Sequence, residues 1–252
     1  SFISATAGGS FAYRNTPKLT SFGDLGVNLR NYLDESNLSY HTLDANIGAG
    51  YRLATGQISG KLTAQKMWLD GDDYRDVTAV SGQYQRDLGM TGQLAFFMQL
   101  NQLRYDAMTN RDSDRLTGGL AWSQAFEGAY SPVVYASLYT GNDSTTSNAA
   151  SATQFSNDFT GVRAGGTLNV SSQLRINGSL SYETRQYDTR QLLVVGNPVR
   201  DDQQVDIGFG LAWKLKPGLT LQPGYTFTQN SSNTALYDYD RHLVSIDLRY
   251  DM

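Results

Sequence analysis

The chain has 252 residues, no cysteine, 12% aromatic residues and a formal net charge of −4 at pH 7. The lack of cysteine excludes disulfide-stapled domains and thiolate metal or redox sites, and the acidic balance disfavours nucleic acid as a partner. No run of about 18 apolar residues occurs, which excludes a transmembrane helix but not transmembrane strands, because each strand needs only about 9–11 residues with alternating faces.

Apolar side chains recur at every second position along almost the whole chain. This period is typical of β-strands, because successive side chains leave opposite faces of a sheet. In the stretch 205–228 the pattern continues on both sides of a turn at Lys216-Pro217-Gly218. The pattern predicts about 13 strands. In chain order they lie at 3–14, 24–30, 43–53, 58–68, 76–87, 93–101, 116–123, 134–138, 162–170, 174–185, 205–215, 219–228 and 244–252.

The predicted connections alternate between short and long. Short turns fall near 55–57, 88–90, 127–130, 171–173 and 216–218, and long polar links near 106–112, 141–157, 187–201 and 229–237. Bacterial outer-membrane barrels have short periplasmic turns and long external loops, and this orientation places Met252 at the periplasmic end. Single-chain barrels of this kind have an even number of strands. We therefore expect 12 or 14 strands, with region 15–38 as the part that the pattern assigns wrongly.

These patterns predict an all-β fold, a transmembrane antiparallel up-and-down β-barrel of 12–14 strands that occupies residues 1–252 as one domain. The alternative is a soluble β-sandwich or lipocalin-like fold, in which the apolar face would be a buried core. Aromatic residues near strand ends favour the barrel, since they form girdles at the two membrane interfaces. The predicted girdle residues are Trp68, Trp122, Trp213, Tyr225 and Tyr250. The sheet must also close, because an edge exposed to lipid would leave backbone groups unpaired.

The last segment, NSSNTALYDYDRHLVSIDLRYDM from Asn230, is similar to the closing hairpin and final strand of outer-membrane barrels. It resembles barrels fused behind tetratricopeptide domains, namely surface lipoprotein assembly modifiers and exporters of cellulose and related exopolysaccharides. The opening segment GGSFAYRNT is loosely similar to the first strand of those barrels. The chain departs from the usual pattern by ending in Met252 rather than an aromatic residue.

The resemblance implies an export or translocation role and a bacterial outer-membrane location. It also implies three partners besides outer-membrane lipid: the barrel-assembly machinery, which would read the C-terminal strand, a periplasmic domain, and a polymer cargo. The first residue already lies in a strand pattern with no signal peptide before it. We therefore interpret the chain as mature or truncated, with a preceding periplasmic domain as one possibility.

The polar faces of the predicted strands would line the lumen, and basic groups exceed acidic ones there. The predicted lumen residues are Arg14, Arg30, Asp44, Arg52, Lys61, Arg163, Arg175, Glu183, Arg185, Asp206, Lys214, Asp247 and Arg249. Such a lining predicts a channel with a weak preference for anions, which exports or passes polar solute, polysaccharide or polypeptide. The alternatives are a lumen plugged by paired charges, and a translocator or assembly factor for surface lipoproteins that acts with a periplasmic domain.

The sequence offers little for catalysis. His41 and His242 are the only histidines, and no Ser-His-acid set can be assembled around them, so we expect no enzymatic activity. The acidic stretch 70–76 raises calcium binding as an alternative to a solvated loop tip, but its spacing matches no known calcium loop. We therefore expect no metal and no cofactor.

Overall fold

The computed structural model describes residues 1–192, 196 and 198–251. In this part of the chain thirteen strands form one antiparallel sheet, and each strand pairs with its neighbours in sequence. The strands are β1 Phe2–Arg14, β2 Leu19–Tyr32, β3 Tyr40–Arg52, β4 Gly56–Leu69, β5 Asp72–Leu88, β6 Gly92–Tyr105, β7 Ser113–Ala125, β8 Val133–Thr145, β9 Asn157–Asn169, β10 Leu174–Arg190, β11 Val199–Lys216, β12 Leu219–Ser232 and β13 Tyr239–Tyr250. The order is that of an up-and-down meander, as predicted.

Helical structure is confined to the links between strands. The α-helix α1 covers Ala150–Thr153, and single 3₁₀ turns cover Ser36–Leu38, Thr109–Arg111 and Ala235–Tyr237. None of the helices in the described residues has the length and apolarity that crossing a membrane requires.

The strand number lies inside the predicted range of 12–14. The argument for an even number is wrong for the described residues, because thirteen strands are present. The region 15–38, which we expected to be misassigned, contains the regular strand β2, and β2 pairs with β1 from Thr20 to Tyr32. The period of two was therefore a better guide to the strand count than the rule of even numbers.

The predicted alternation of connections is confirmed, with two exceptions. Short turns join β3 to β4, β5 to β6, β9 to β10 and β11 to β12, and longer links join β6 to β7, β8 to β9, β10 to β11 and β12 to β13. The link 126–132 is longer than expected. The acidic stretch forms a tight turn at Asp70-Gly71. The backbone φ angles of these two residues, 53° and 90°, lie in the left-handed region that a two-residue hairpin turn requires. Residues 193–195 and 197, in the predicted link 187–201, and Met252 lie outside the described residues.

The distribution of apolar side chains is inverted relative to a soluble protein. The buried hydrophobic residues among those described are Ala79, Ala152, Phe159 and Tyr187. The large apolar residues of the alternating face are exposed instead, with Ile246 at 74% and Leu62 at 55%. In water, each such side chain would lack the favourable free energy of about 1.5–3 kcal/mol that burial provides, so this face is expected to contact an apolar medium. The soluble sandwich alternative is therefore wrong, and the apolar face contacts lipid.

The described residues form two compact units. Unit 1 consists of Ser1–Arg86, Phe96–Gly118 and Gly141–Ser156, and contains β1 to β4 whole. Unit 2 consists of Asp87–Ala95, Gly119–Thr140 and Asn157–Met252, and contains β9 to β13 whole.

Candidate functional site

The polar face of unit 1 carries a chain of hydrogen bonds that crosses neighbouring strands. The Asn46 amide donates to Asp24 on β2 at 2.7 Å and accepts from the Thr63 hydroxyl of β4 at 2.5 Å. The Gln65 amide of β4 donates to Asp44 of β3 at 2.5 Å. The strand register places these partners directly opposite one another. The carboxylates on this face are therefore held by neutral donors from adjacent strands.

In unit 2 two carboxylates organise the polar face. Glu183 accepts hydrogen bonds from the Tyr139 hydroxyl at 2.9 Å and from the Arg185 guanidinium at 2.6 Å. Asp206 accepts from the Thr228 hydroxyl at 2.7 Å, and Thr228 is almost completely buried. Ser181 and Gln204 also donate to Asp206, at 3.2 and 2.9 Å. Three donors from three strands thus meet at one carboxylate.

A buried ion pair lies within β11, and its arginine also contacts the link between β12 and β13. The Arg200 guanidinium donates twice to Asp202, at 2.9 and 2.5 Å, and the side chains are only 12% and 7% exposed. The same guanidinium lies over the rings of Tyr187 and Tyr237, at 4.5 and 3.2 Å from their centroids. Because Tyr237 belongs to the 3₁₀ turn after β12, Arg200 fixes that link against the first residues of β11.

The predicted lumen residues separate into two groups. Five basic residues lie at or near the ends of strands that meet at short turns: Arg14, Arg52, Arg175, Lys214 and Arg249. The other eight lie inside strands: Arg30, Asp44, Lys61, Arg163, Glu183, Arg185, Asp206 and Asp247. Among these residues the structure brings together Glu183 and Arg185, whereas Arg249 pairs with Asp251 at 2.8 Å and Arg30 lies over the Phe2 ring at 4.3 Å. That this set lines a lumen stays a prediction.

The predicted girdle residues do not all lie at strand ends. Trp122, Trp213 and Tyr250 lie near the C-terminal ends of β7, β11 and β13, and all three are exposed. Trp68 lies near the C-terminal end of β4, beneath the Lys66 ammonium at 5.7 Å from its ring. Tyr225 lies midway along β12. The role of these five as a membrane girdle stays a prediction.

Sequence reasoning missed the environment of His242. This residue is paired with Phe227 in the register of β12 and β13, and their rings are 4.9 Å apart. Its Nδ1 atom is 2.8 Å from the Tyr225 hydroxyl. Counting back in steps of two from Val244 places His242 on the apolar face, so the alternation could have predicted that this histidine lies among apolar side chains.

The acidic stretch after β4 forms an ion pair. Lys66 donates to Asp73 at 2.9 Å and lies 3.9 Å from Asp76. In the part of the chain that the structure describes, no group of three or more acidic, histidine or cysteine side chains is placed to hold a metal ion.

The fold is similar to that of outer-membrane proteins of known structure. OmpT expressed in the outer membrane of Vibrio cholerae gives a TM-score of 0.51 at 7% identity, with 99% of this chain and 96% of that chain covered. In-vitro folded OmpT of the same organism gives 0.50 at 8% identity, with 99% and 95% covered. The translocator domain of the autotransporter NalP from Neisseria meningitidis gives only 0.31 at 10% identity, with 100% and 87% covered. At these identities the likeness to the two OmpT structures concerns the fold alone, which is that of outer-membrane β-barrels.

No curated protein gives a significant match to the chain. The model of one protein family, described as surface lipoprotein assembly modifier, matches residues 19–250. The match spans β2 to β13 and agrees with the exposed apolar face that an outer-membrane location requires. The chain therefore belongs to the surface lipoprotein assembly modifier family, as an outer-membrane β-barrel involved in surface lipoprotein assembly.

Proposed function

We propose that the chain moves the polypeptide of a surface lipoprotein across the outer membrane, through a lumen lined by its polar face. The observation that carries this proposal is the inverted burial of a chain that the family matches almost end to end. An apolar face that meets lipid leaves the hydrogen-bonded polar face as the surface on which a hydrophilic cargo can travel.

The width of the lumen limits the conformation in which a polypeptide cargo could pass. A barrel of about thirteen strands is narrower than porins of 16–18 strands, so it would pass only an extended chain. The predicted lumen residues would contact that chain. Neutral donors such as Asn46 and Gln65 hold nearby carboxylates in place but leave their negative charges. A net positive lining would come instead from the excess of nine basic over four acidic residues in the predicted lumen set.

Four partners follow from this role. Outer-membrane lipid contacts the apolar face. The barrel-assembly machinery would read β13, whose apolar residues alternate from Val244 to Tyr250. A lipoprotein passenger and a periplasmic domain that delivers it complete the proposal. We propose no catalytic step, since His242 is engaged by Tyr225 and lies on the face that meets lipid.

The test is surface delivery of a lipoprotein. The gene for this chain is deleted in its host, and accessibility of each surface lipoprotein to added protease is measured on intact cells. At least one lipoprotein is expected to become resistant to protease while its total amount persists, and plasmid-borne wild-type chain restores cleavage. Unchanged cleavage of all surface lipoproteins in the deletion strain would contradict the proposal.

A second candidate function is a pore for small polar solutes or polysaccharide with a weak preference for anions. It is favoured by Lys61, Arg163 and Lys214, which have no carboxylate partner among the described residues. Uncompensated like charges select permeating ions by sign. The reversal potential of the purified chain in a planar bilayer under a salt gradient tests it. Preference for cations, or no conductance, would defeat this candidate.

A further inference from the structure

A polar groove of about 290 Å³ lies at the short-turn end of unit 2. It is bounded by the turn between β9 and β10 and by the ends of β10, β11, β12 and β13. Its charged lining consists of Arg175, Lys214 and Arg249, with Asp251 as the only acidic member among the lining residues described. We call this feature the basic groove.

The strand register arranges the three cations side by side. Lys214 is paired with Thr220, and Thr220 is paired in turn with Arg249 on β13. On the other side, the backbone N–H of Lys214 donates to the Gln173 carbonyl, two residues before Arg175. Neighbouring strands lie about 4.8 Å apart, so the cations form a row about 10–15 Å long across four strands.

The charges of the row are only partly compensated. Arg249 pairs with Asp251 at 2.8 Å, and Arg175 donates to the neutral Asn169 amide oxygen at 3.0 Å. Lys214 has no side-chain acceptor within the described residues. By contrast, the interior arginines Arg185 and Arg200 of the same unit are each bound to a carboxylate. The basic groove is therefore a place on this polar face where neighbouring cations remain available to an anion.

We propose that the basic groove receives an acidic, extended polypeptide segment. Acidic side chains at alternate positions of an extended chain lie about 7 Å apart on one side, a spacing that flexible lysine and arginine side chains in this row can match. Short turns of outer-membrane barrels face the periplasm, so the groove would meet a passenger before it crosses. Only the identity of this ligand as a passenger rests on the function proposed above.

The proposal is tested with the full chain in detergent micelles and a fluorescein-labelled peptide of five Glu-Ser repeats, followed by fluorescence anisotropy. Substituting Arg175→Gln and Lys214→Gln together is expected to weaken binding about tenfold, since each exposed ion pair is worth up to about 1 kcal/mol. The wild-type affinity should fall as salt rises. The matched control is Lys18→Gln with Arg86→Gln, an equal loss of charge at short-turn ends in unit 1, which should bind the peptide as wild type does.

Four outcomes would overturn the proposal. They are equal binding of a Lys-Ser peptide, unchanged affinity in the Arg175 and Lys214 double variant, full competition by inorganic phosphate at equal concentration, and competition by phosphatidylglycerol in nanodiscs. The peptide assay requires no transport. If the purified chain binds the peptide as expected while the deletion strain shows unchanged protease cleavage of every surface lipoprotein, the result would count against the proposed function alone.

Discussion

Replacing Asp206 with alanine is expected to destabilise unit 2, because three donors lose their common acceptor. The Thr228 hydroxyl is the most costly of these, since it is almost fully buried and would be left without its 2.7 Å hydrogen bond. An orphaned buried donor costs about 1–3 kcal/mol. Ser181 is also buried but adds less because its hydrogen bond is longer, at 3.2 Å, and Gln204 adds less because it is half-buried and water can replace the carboxylate. The total is about 3 kcal/mol of unfolding free energy.

The assay is urea unfolding of the chain in lipid vesicles, followed by tryptophan fluorescence. Asp247→Ala is the matched control, because Asp247 is on the polar face of β13 and makes no hydrogen bond within the described residues. Its removal should change the unfolding free energy by less than about 0.5 kcal/mol. If Asp206→Ala were no more destabilising than the control, the hydrogen bonds at this carboxylate would contribute no net stability and the reasoning would fail.

Three further substitutions test other parts of the fold with the same unfolding assay. Ile246→Lys places a charge on the apolar face and should cost about 2–4 kcal/mol, whereas Ser245→Lys on the opposite face should cost far less; equal costs would argue against contact with lipid. Gly165→Ala puts a methyl group 2.6 Å from the Gly178 carbonyl oxygen and should cost about 1–3 kcal/mol, so wild-type stability would refute that close approach. Arg200→Ala leaves the buried carboxylate of Asp202 unpaired and should cost about 3–5 kcal/mol of unfolding free energy. A second measurement, the rate of protease cleavage in the link 233–238, should rise in this variant. An unchanged rate would show that Arg200 does not fix that link.

Particular strands show how far the sequence pattern reaches. The predicted strand 205–215 corresponds to β11, which is longer because it begins at Val199. Its first residues carry polar side chains on both faces, so no alternation marks them. The eighth strand was underestimated for the same reason, since 134–138 is only the apolar part of Val133–Thr145. Alternation therefore measures the apolar band of each strand, and polar extensions beyond that band have no period to detect.

The period of two determined by itself that this protein is made of strands, which face of each is apolar, and where most strands turn. Stereochemistry sends adjacent side chains to opposite faces, so that information is local and can be read without a structure. Contacts such as those of Asp206 with Thr228 and of Lys214 with its neighbours depend on the register between strands, which joins residues far apart in sequence. Only the tertiary structure could decide which cations are compensated, because that depends on distances across strands and not on composition.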